Sequence, residues 1–242
     1  MTPVVLTLTL TLVAFGAQAQ EIRFATEPYP PYSYADDDGT ARGAGVEQVR
    51  AMMDGLDSRT DYSIDVMPWA RAIALAETRP DHCTFAAART PEREGRFKWV
   101  SPLLFDINLL VTRKDAAGNV QSIEKAKSLS VGTQREDYTE SLLRAKGFDK
   151  IDLSNSFDLT LAKLLGKRID LMTMSQGVYE TLLAQGSPIQ SVAELSRQEL
   201  GIACNRTVAD TVIAAMQASL DRLRTSGEQN RILSRFGLPQ NP

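Results

Sequence analysis

Residues 63–93 read SIDVMPWARAIALAETRPDHCTFAAARTPER and contain the pattern that decides the fold. Residues 63–67 (SIDVM) fit a strand, residues 69–78 (WARAIALAET) a helix and residues 83–87 (CTFAA) an apolar strand. Residues 90–93 (TPER) then begin another helix, because threonine suits an N-cap, proline the first helical position and glutamate the first turn. This alternation predicts an α/β sheet with helical crossovers.

The same alternation extends in both directions along the chain. Towards the N-terminus, residues 21–26 (EIRFAT) fit a strand, and residues 45–56 (GVEQVRAMMDGL) carry apolar side chains at helical spacing. Towards the C-terminus the pattern restarts after residue 119. It predicts strands at 128–131, 150–153, 169–174 and 201–204, and helices at 138–146, 157–165, 176–185 and 207–223. The two runs predict two lobes of similar size.

The composition excludes several classes of function. The chain has 242 residues, a net charge of −3 and one histidine, His82. Because it lacks a basic face that would attract a polyanion, we expect no nucleic-acid partner. Two cysteines and one histidine cannot form a standard zinc site, so the sequence predicts no metal, and we expect no cofactor.

The N-terminal residues have the pattern of a secretory signal. Residues 4–17 (VVLTLTLTLVAFGA) carry no charge, and Ala17-Gln18-Ala19 supplies the small residues of a signal-peptidase site. The run is shorter than the roughly 20 residues that cross a bilayer. No Lys or Arg precedes it, and its Leu-Thr alternation also fits a buried strand. We expect residues 1–19 to be a signal peptide, which places the mature chain, beginning at Gln20, in the periplasm.

The two cysteines, Cys83 and Cys204, allow two interpretations. In an oxidising compartment they can form one disulfide. They also fit small buried hydrophobic residues on strands, which is where free cysteines usually lie. The residues alone leave both interpretations open.

Several segments spread over nearly the whole mature chain carry a family resemblance through their order and spacing. They are ATEPYPPYSY (25–34), GAGV (43–46), Pro68-Trp69, TPER (90–93), FKWVSP (97–102), Val131-Gly132-Thr133, GKRIDLMTM (166–174), Gly201-Ile202-Ala203 and Phe236-Gly237. In this order they resemble the family 3 extracellular solute-binding proteins, the periplasmic receptors of polar amino-acid ABC transporters. No single segment is specific to that family.

The resemblance implies a two-lobed periplasmic-binding-protein fold of type II. Each lobe is then a mostly parallel sheet flanked by helices, with hinge crossovers near residues 104–108 and 199–202. Lobe 1 comprises residues 20–104 plus 202–242, and lobe 2 comprises residues 105–201. In that topology the strands of Cys83 and Cys204 are neighbours, which favours the disulfide. The implied partners of this monomer are a small-molecule ligand and an ABC permease of the inner membrane.

Arg93 is the first candidate ligand residue. A threonine three residues before an arginine at a helix start places the guanidinium beside free backbone N–H groups, which together suit a carboxylate. The same residues also fit a capped helix with a solvated arginine. In the family, the matching arginine binds the ligand's α-carboxylate, and the backbone amides of Ala88 and Thr90 complete the anion pocket.

Other candidates follow from the same resemblance. Trp69 and Tyr29 match aromatic residues that pack on the ligand, and each also fits core or rim packing. Glu27 is placed to pair with a ligand cation. Arg71, two residues after Trp69, matches no residue of the family pattern and fits either a second anion contact or a solvated helix position. Together these residues predict a cleft with aromatic walls.

Ser175 is the main departure from the family pattern. Amino-acid binders of the family usually have an aspartate there, which holds the ligand's ammonium group, and a serine cannot neutralise a buried cation. Either Glu27 takes that role or the ligand is not an α-amino acid. With Arg71, Arg93 and Arg135 near the cleft and few acidic residues, the sequence favours an anionic ligand.

Two other functions remain open at this level. The fold also hosts enzymes, including a periplasmic dehydratase, but no nucleophile–base pair or metal set is recognisable here, so we expect no enzymatic activity. Similar lobes also serve as the extracellular input of histidine kinases. A sensing role through a separate membrane partner is therefore the alternative to transport.

Overall fold

The computed structural model describes residues 21–56, 60–116, 120 and 122–241. The expected signal peptide and its cleavage site lie outside the described residues. Within them lie ten strands and nine helices. The predicted alternation is present, and three of these strands and two of these helices are elements that the residue pattern did not predict. None of the described helices combines the length and the hydropathy that crossing a membrane requires.

The bounds of the elements are as follows. The strands are β1 (Ile22–Thr26), β2 (Tyr34–Ala35), β3 (Ala41–Arg42), β4 (Tyr62–Val66), β5 (His82–Ala88), β6 (Lys98–Arg113), β7 (Val131–Gln134), β8 (Ile151–Ser154), β9 (Leu171–Ser175) and β10 (Ile189–Cys204). The helices are α1 (Ala44–Asp54), α2 (Trp69–Thr78), α3 (Pro91–Glu94), α4 (Ile123–Ala126), α5 (Tyr138–Ala145), α6 (Phe157–Leu165), α7 (Gln176–Ala184), α8 (Asp210–Thr225) and α9 (Glu228–Arg235).

Eight of the strands form one continuous sheet in the order β4-β1-β5-β10-β6-β9-β7-β8. The pairs of β1 with β4 and β5, and of β7 with β8 and β9, are parallel. We call the part with β1, β4, β5, α1–α3, α8 and α9 lobe 1, and the part with β7–β9 and α4–α7 lobe 2. Both lobes are therefore α/β units built from parallel strands.

Strands β6 and β10 are the crossovers between the lobes. Each has 16 residues, and they pair antiparallel along most of their length. The end of β10 pairs with β5 in lobe 1, whereas the second half of β6 pairs with β9 in lobe 2. The expected crossovers at 104–108 and 199–202, and the expected lobe boundaries, lie within these two strands. A bend in this ribbon would move one lobe relative to the other.

Local sequence accounts for the elements whose bounds agree with the prediction. Helix α2 buries Trp69, Ala72, Ile73 and Ala76, one side of a 3.6-residue period. Helix α6 begins after Ser156, whose hydroxyl accepts the backbone N–H of Leu159. Both helices have the bounds that the residue pattern predicts.

Two strands differ from the prediction. The first strand of lobe 2 was expected at 128–131 and is β7, Val131–Gln134. Ser130 lies before it, where its backbone N–H and its hydroxyl both bind the carboxylate of Asp170. The expected short strand at 201–204 is only the end of β10, because the polar stretch before it pairs with β6. Long-range pairing, rather than local pattern, sets these bounds.

Cys83 and Cys204 form a disulfide inside lobe 1. They lie directly opposite each other in the antiparallel pair β5–β10, with Cα atoms 3.9 Å apart. Both are fully buried in the core of lobe 1, near Phe24 and Phe85. The bond ties the lobe-1 end of a crossover strand to the neighbouring strand.

Candidate functional site

A cavity lies between the lobes, at the carboxyl ends of their parallel strands. Thr26, Ala88, Gln134 and Ser175, the last residues of β1, β5, β7 and β9, all line it. Open α/β sheets usually bind ligands at this edge. The centre of a water molecule can occupy about 60 Å³ of the cavity. Since one buried water needs roughly 10–15 Å³ on this measure, the cavity accommodates several waters or a small ligand.

Arg93 provides the positive charge of the cavity. It lies in the short helix α3, is only 5% exposed, and its guanidinium carbon is 5.6 Å from the ring centre of Trp69. Its Nη2 donates to the carbonyl oxygen of Glu136 at 2.5 Å and its Nη1 to that of Ala88 at 3.4 Å. Burial lowers the pKa of Arg93 because it disfavours the charged form. Two neutral carbonyls leave most of its donors available to an anion.

The carbonyl of Glu136 bridges the lobes. It accepts from Arg93 and also from the indole nitrogen of Trp69, at 2.9 Å, both of which belong to lobe 1. Glu136 has a φ of 61°, an uncommon conformation for a residue other than glycine. The contact joins the two lobes across the cleft, and a ligand carboxylate would compete for the same two donors.

Ala88 and Thr90, whose backbone amides were expected to complete the anion pocket, differ in their relation to the cavity. Ala88 lines the cavity and is buried. Thr90 is at the N-cap position of α3, but its hydroxyl makes no capping bond and is buried without a partner among the described residues. Thr90 is not part of the cavity wall as the structure stands.

Tyr29, Tyr32 and Ser175 meet where the lobes touch. The backbone N–H of Ser175 donates to the hydroxyl of Tyr29 at 2.7 Å, and the Ser175 hydroxyl lies 2.9 Å from that of Tyr32. The ring of Tyr29 packs edge-on against Phe157 of lobe 2, with centroids 5.0 Å apart. Burial raises the pKa of both tyrosines, so they act as neutral hydrogen-bonding groups.

Asp106 completes this group from the crossover strand β6. Its Oδ1 accepts from the hydroxyl of Ser175 at 2.5 Å and from that of Tyr32 at 3.2 Å. Asp106 is 7% exposed, and burial raises its pKa to about 6. Ser175 has no negative charge of its own, but the carboxyl group of Asp106 lies directly beside it.

Glu27 supplies a second carboxyl group to the cavity and is partly buried. Burial, followed by the charge of Asp137, raises its pKa to about 8, against the effect of a hydrogen bond with the Gln134 side chain. Glu27 is therefore mostly neutral at pH 7. Asp137 also lines the cavity, and its carboxylate caps α5 by accepting the N–H of Thr139 at 2.8 Å.

The structure does not bring Arg71 and Arg135 to the cavity. Arg71 is exposed on α2, on the opposite side of the helix from the buried residues. Arg135 is also exposed and donates to Asn155 near the edge strand β8. Neither arginine therefore supports the anionic ligand that the sequence had favoured.

The expectation of few acidic residues in the cleft is also wrong. Glu27, Asp106 and Asp137 line the cavity, where Arg93 is the single cation among the described residues. Asp106 could have been recognised from the sequence, because it is a lone acid within the apolar run LLFDINLLV at 103–111. Asp137 could not have been recognised in this way, because an aspartate before a helix is an ordinary N-cap.

Fold and site together define a two-lobed protein of the solute-binding class, with a polar cavity between its lobes. The model of the bacterial extracellular solute-binding proteins, family 3, matches residues 22–239. The chain belongs to this family. No curated protein sequence matches it significantly.

Solved structures share the fold at low sequence identity. A histidine kinase sensor domain similar to periplasmic binding proteins superimposes with a TM-score of 0.82 at 17% identity, over 92% of this chain and 98% of its own. An ancestral arginine-binding protein bound to arginine gives 0.78 at 19%, over 90% and 98%. An ancestral amino acid-binding protein, a precursor of cyclohexadienyl dehydratase, gives 0.77 at 17%, over 90% and 95%. At such identities the likeness shows the periplasmic-binding-protein fold alone.

Proposed function

We propose that the protein captures a small ligand bearing a carboxylate and a cationic group, an amino acid or a close relative, by closure of its lobes. The observation that carries the proposal is the buried guanidinium of Arg93, whose described partners are two neutral carbonyls. A buried cation without an ion pair is costly, and a ligand carboxylate removes that cost. The carboxyl groups of the cavity favour a ligand that also has a positive charge over a purely anionic one.

Closure supports capture because residues of both lobes line the same cavity. Trp69 and Arg93 of lobe 1 reach Glu136 of lobe 2, and Tyr29 of lobe 1 reaches Ser175 at the end of β9. A ligand that adds contacts to both lobes shifts the equilibrium towards the closed form by its difference in affinity for the two forms. Two of the similar structures are ancestral binding proteins with arginine or glutamine bound, which fits a ligand of this size and chemistry.

A binding screen with matched variants tests the assignment. Thermal shift and calorimetry with L-amino acids, dicarboxylates and polyamines should show binding of at least one amino acid. Arg93→Ala should weaken it by about 10- to 100-fold or more, the range for a charged hydrogen bond. Arg71→Ala, at an exposed arginine on α2, is the control and should bind like the wild type. Equal loss in both variants, or none in either, would overturn the carboxylate assignment.

The physiological role that we propose is delivery of the ligand to an ABC permease from the periplasm. Support comes from the family, whose members are extracellular solute-binding proteins, and from the signal pattern at residues 1–19. The mass of the protein recovered from a periplasmic extract should correspond to a chain that begins at Gln20. An uncleaved protein retained in the cytoplasm would contradict this location.

A sensing role is the second candidate, favoured by the similarity to a histidine kinase sensor domain. The two roles differ in what the cell loses when the gene is deleted. Loss of uptake of the identified ligand supports transport. Normal uptake together with a lost transcriptional response to that ligand supports sensing.

A further inference from the structure

Two buried amide oxygens in the cavity have no hydrogen-bond donor among the described residues. They are Oδ1 of Asn108 and Oε1 of Gln134, whose residues are 6% and 8% exposed. Both residues line the cavity. Leaving a buried acceptor unpaired destabilises a protein, so such groups normally face a partner. Here the partner that both can share is a molecule in the cavity.

Asp106 adds a negative charge to the same cavity and lies on the same strand as one of these acceptors, Asn108. It precedes Asn108 by two residues on β6, so both side chains lie on the same face of the strand. Its carboxylate accepts hydrogen bonds from the Tyr32 hydroxyl, the Ser175 hydroxyl and the backbone N–H of Ile107. A carboxylate offers about four acceptor positions, which leaves one for a further donor.

Among the described residues, no Lys or Arg pairs with Asp106. Its described donors are all uncharged, and the strongest influences on its pKa include Asp137 but no Lys or Arg. The cavity's own cation, Arg93, is directed at the carbonyls of Glu136 and Ala88 instead. Asp106 is thus a buried acid whose counter-ion must come from elsewhere.

We propose that Asp106, Asn108 and Gln134 form the subsite for the ligand's ammonium group. An ammonium has three N–H donors and one positive charge, which match one carboxylate and two amide oxygens. The subsite lies next to Ser175, so the crossover strand supplies the charge that this serine lacks. The inference rests on the proposed capture of a carboxylate-bearing ligand and adds the chemistry of its second group.

The other two cavity acids are less suited to this role. Glu27 is mostly neutral at pH 7 because burial raises its pKa to about 8. The carboxylate of Asp137 is engaged at the start of α5, where the N–H and hydroxyl of Thr139 both donate to it. Of these three acids, Asp106 combines an ionised state near neutral pH, deep burial and a position two residues from the free acceptor of Asn108.

Probes that differ only in the ammonium group test the subsite. Calorimetry at pH 7.5 compares L-alanine, L-glutamine, L-glutamate and L-arginine, each with the deamino acid of the same skeleton. In the wild type, the amino acids that bind should do so about 10- to 100-fold more tightly than their deamino counterparts, as expected for charged hydrogen bonds. Asp106→Asn should reduce that ratio at least about tenfold.

A second variant guards against a purely structural effect of Asp106→Asn, which also alters the contacts of Tyr32 and Ser175. Asn108→Leu removes an oxygen that has no donor among the described residues, so the ligand-free melting temperature should hold or rise while the amino-acid preference falls severalfold. Asp158→Asn, at an exposed acid of α6, is the control and should change neither quantity. A lower melting temperature of Asn108→Leu, or an unchanged preference in both cavity variants, overturns the subsite.

The two proposals fail in different ways. If the wild type binds deamino acids as tightly as amino acids, and Arg93→Ala abolishes both, the ammonium subsite is wrong while carboxylate capture stands. If no probe with a carboxylate binds, carboxylate capture is wrong and the ammonium subsite falls with it.

Discussion

Replacing Glu27 by glutamine should stabilise the ligand-free protein by an amount that grows with pH. Burial in the cleft, together with the charge of Asp137, raises the pKa of Glu27 from 4.5 to about 8. The folded protein therefore keeps a proton that the unfolded chain releases. Glutamine is close in shape and never ionises, so Glu27→Gln removes the cost of burying an ionisable group.

The size of the effect follows from the two pKa values. Below pH 4.5 both states are protonated, and Glu27 contributes no pH dependence. Between pH 4.5 and about 8 only the unfolded chain ionises, so the wild type loses about 1.4 kcal/mol of stability per pH unit. Above about pH 8 the loss levels off, at up to about 5 kcal/mol relative to the variant.

Urea unfolding of the ligand-free proteins at pH 5, 6, 7, 8 and 9 measures this difference. The stability of Glu27→Gln minus that of the wild type should rise with pH and reach a plateau near pH 9. Glu92→Gln, at an exposed glutamate of α3, should stay within about 0.5 kcal/mol of the wild type throughout. A difference for Glu27→Gln that is flat or falls with pH would refute the reasoning.

Two further predictions concern the core and the closure of the lobes. Replacing both Cys83 and Cys204 by alanine opens a cross-link between residues 121 positions apart and should lower the free energy of unfolding by about 2–5 kcal/mol in urea; unchanged stability under oxidising conditions would contradict this. In Gly177→Ala, the new Cβ would lie 2.6 Å from the Tyr32 hydroxyl and collide with Leu238. Overpacking of this kind costs about 1–3 kcal/mol, so ligand affinity should fall about tenfold and small-angle scattering should show a more open protein. A compact variant with wild-type affinity would show that this contact does not limit closure.

Much of the fold could be predicted from local pattern. Helices α2 and α6 have the predicted bounds because a buried face at 3.6-residue spacing and a defined start are local properties. The position of Arg93 at the start of α3 follows in the same way from Thr90 and Pro91. The length of β10 could not be predicted, because its polar half is a strand only through pairing with β6.

The residues of the candidate site also fall into those that could be predicted from the sequence and those that could not. Four residues line the cavity as the resemblance implied, namely Arg93, Trp69, Tyr29 and Glu27. Their roles in binding stay predictions. Arg71 does not reach it, because a helix directs residues two positions apart to different sides. Which of several polar residues faces a cleft depends on the orientation of the whole element.

The sequence by itself determined the order and type of most elements, the family, and the arginine at a helix start, since these depend on residues close together along the chain. Only the tertiary structure decided that Asp106 and Asn108 of a crossover strand face the same cavity as Gln134 and Ser175 of lobe 2. The physical reason is that strand pairing and lobe closure bring together residues remote in sequence. The charge of the cleft depends on which of these remote residues meet, and a local sequence pattern does not show that.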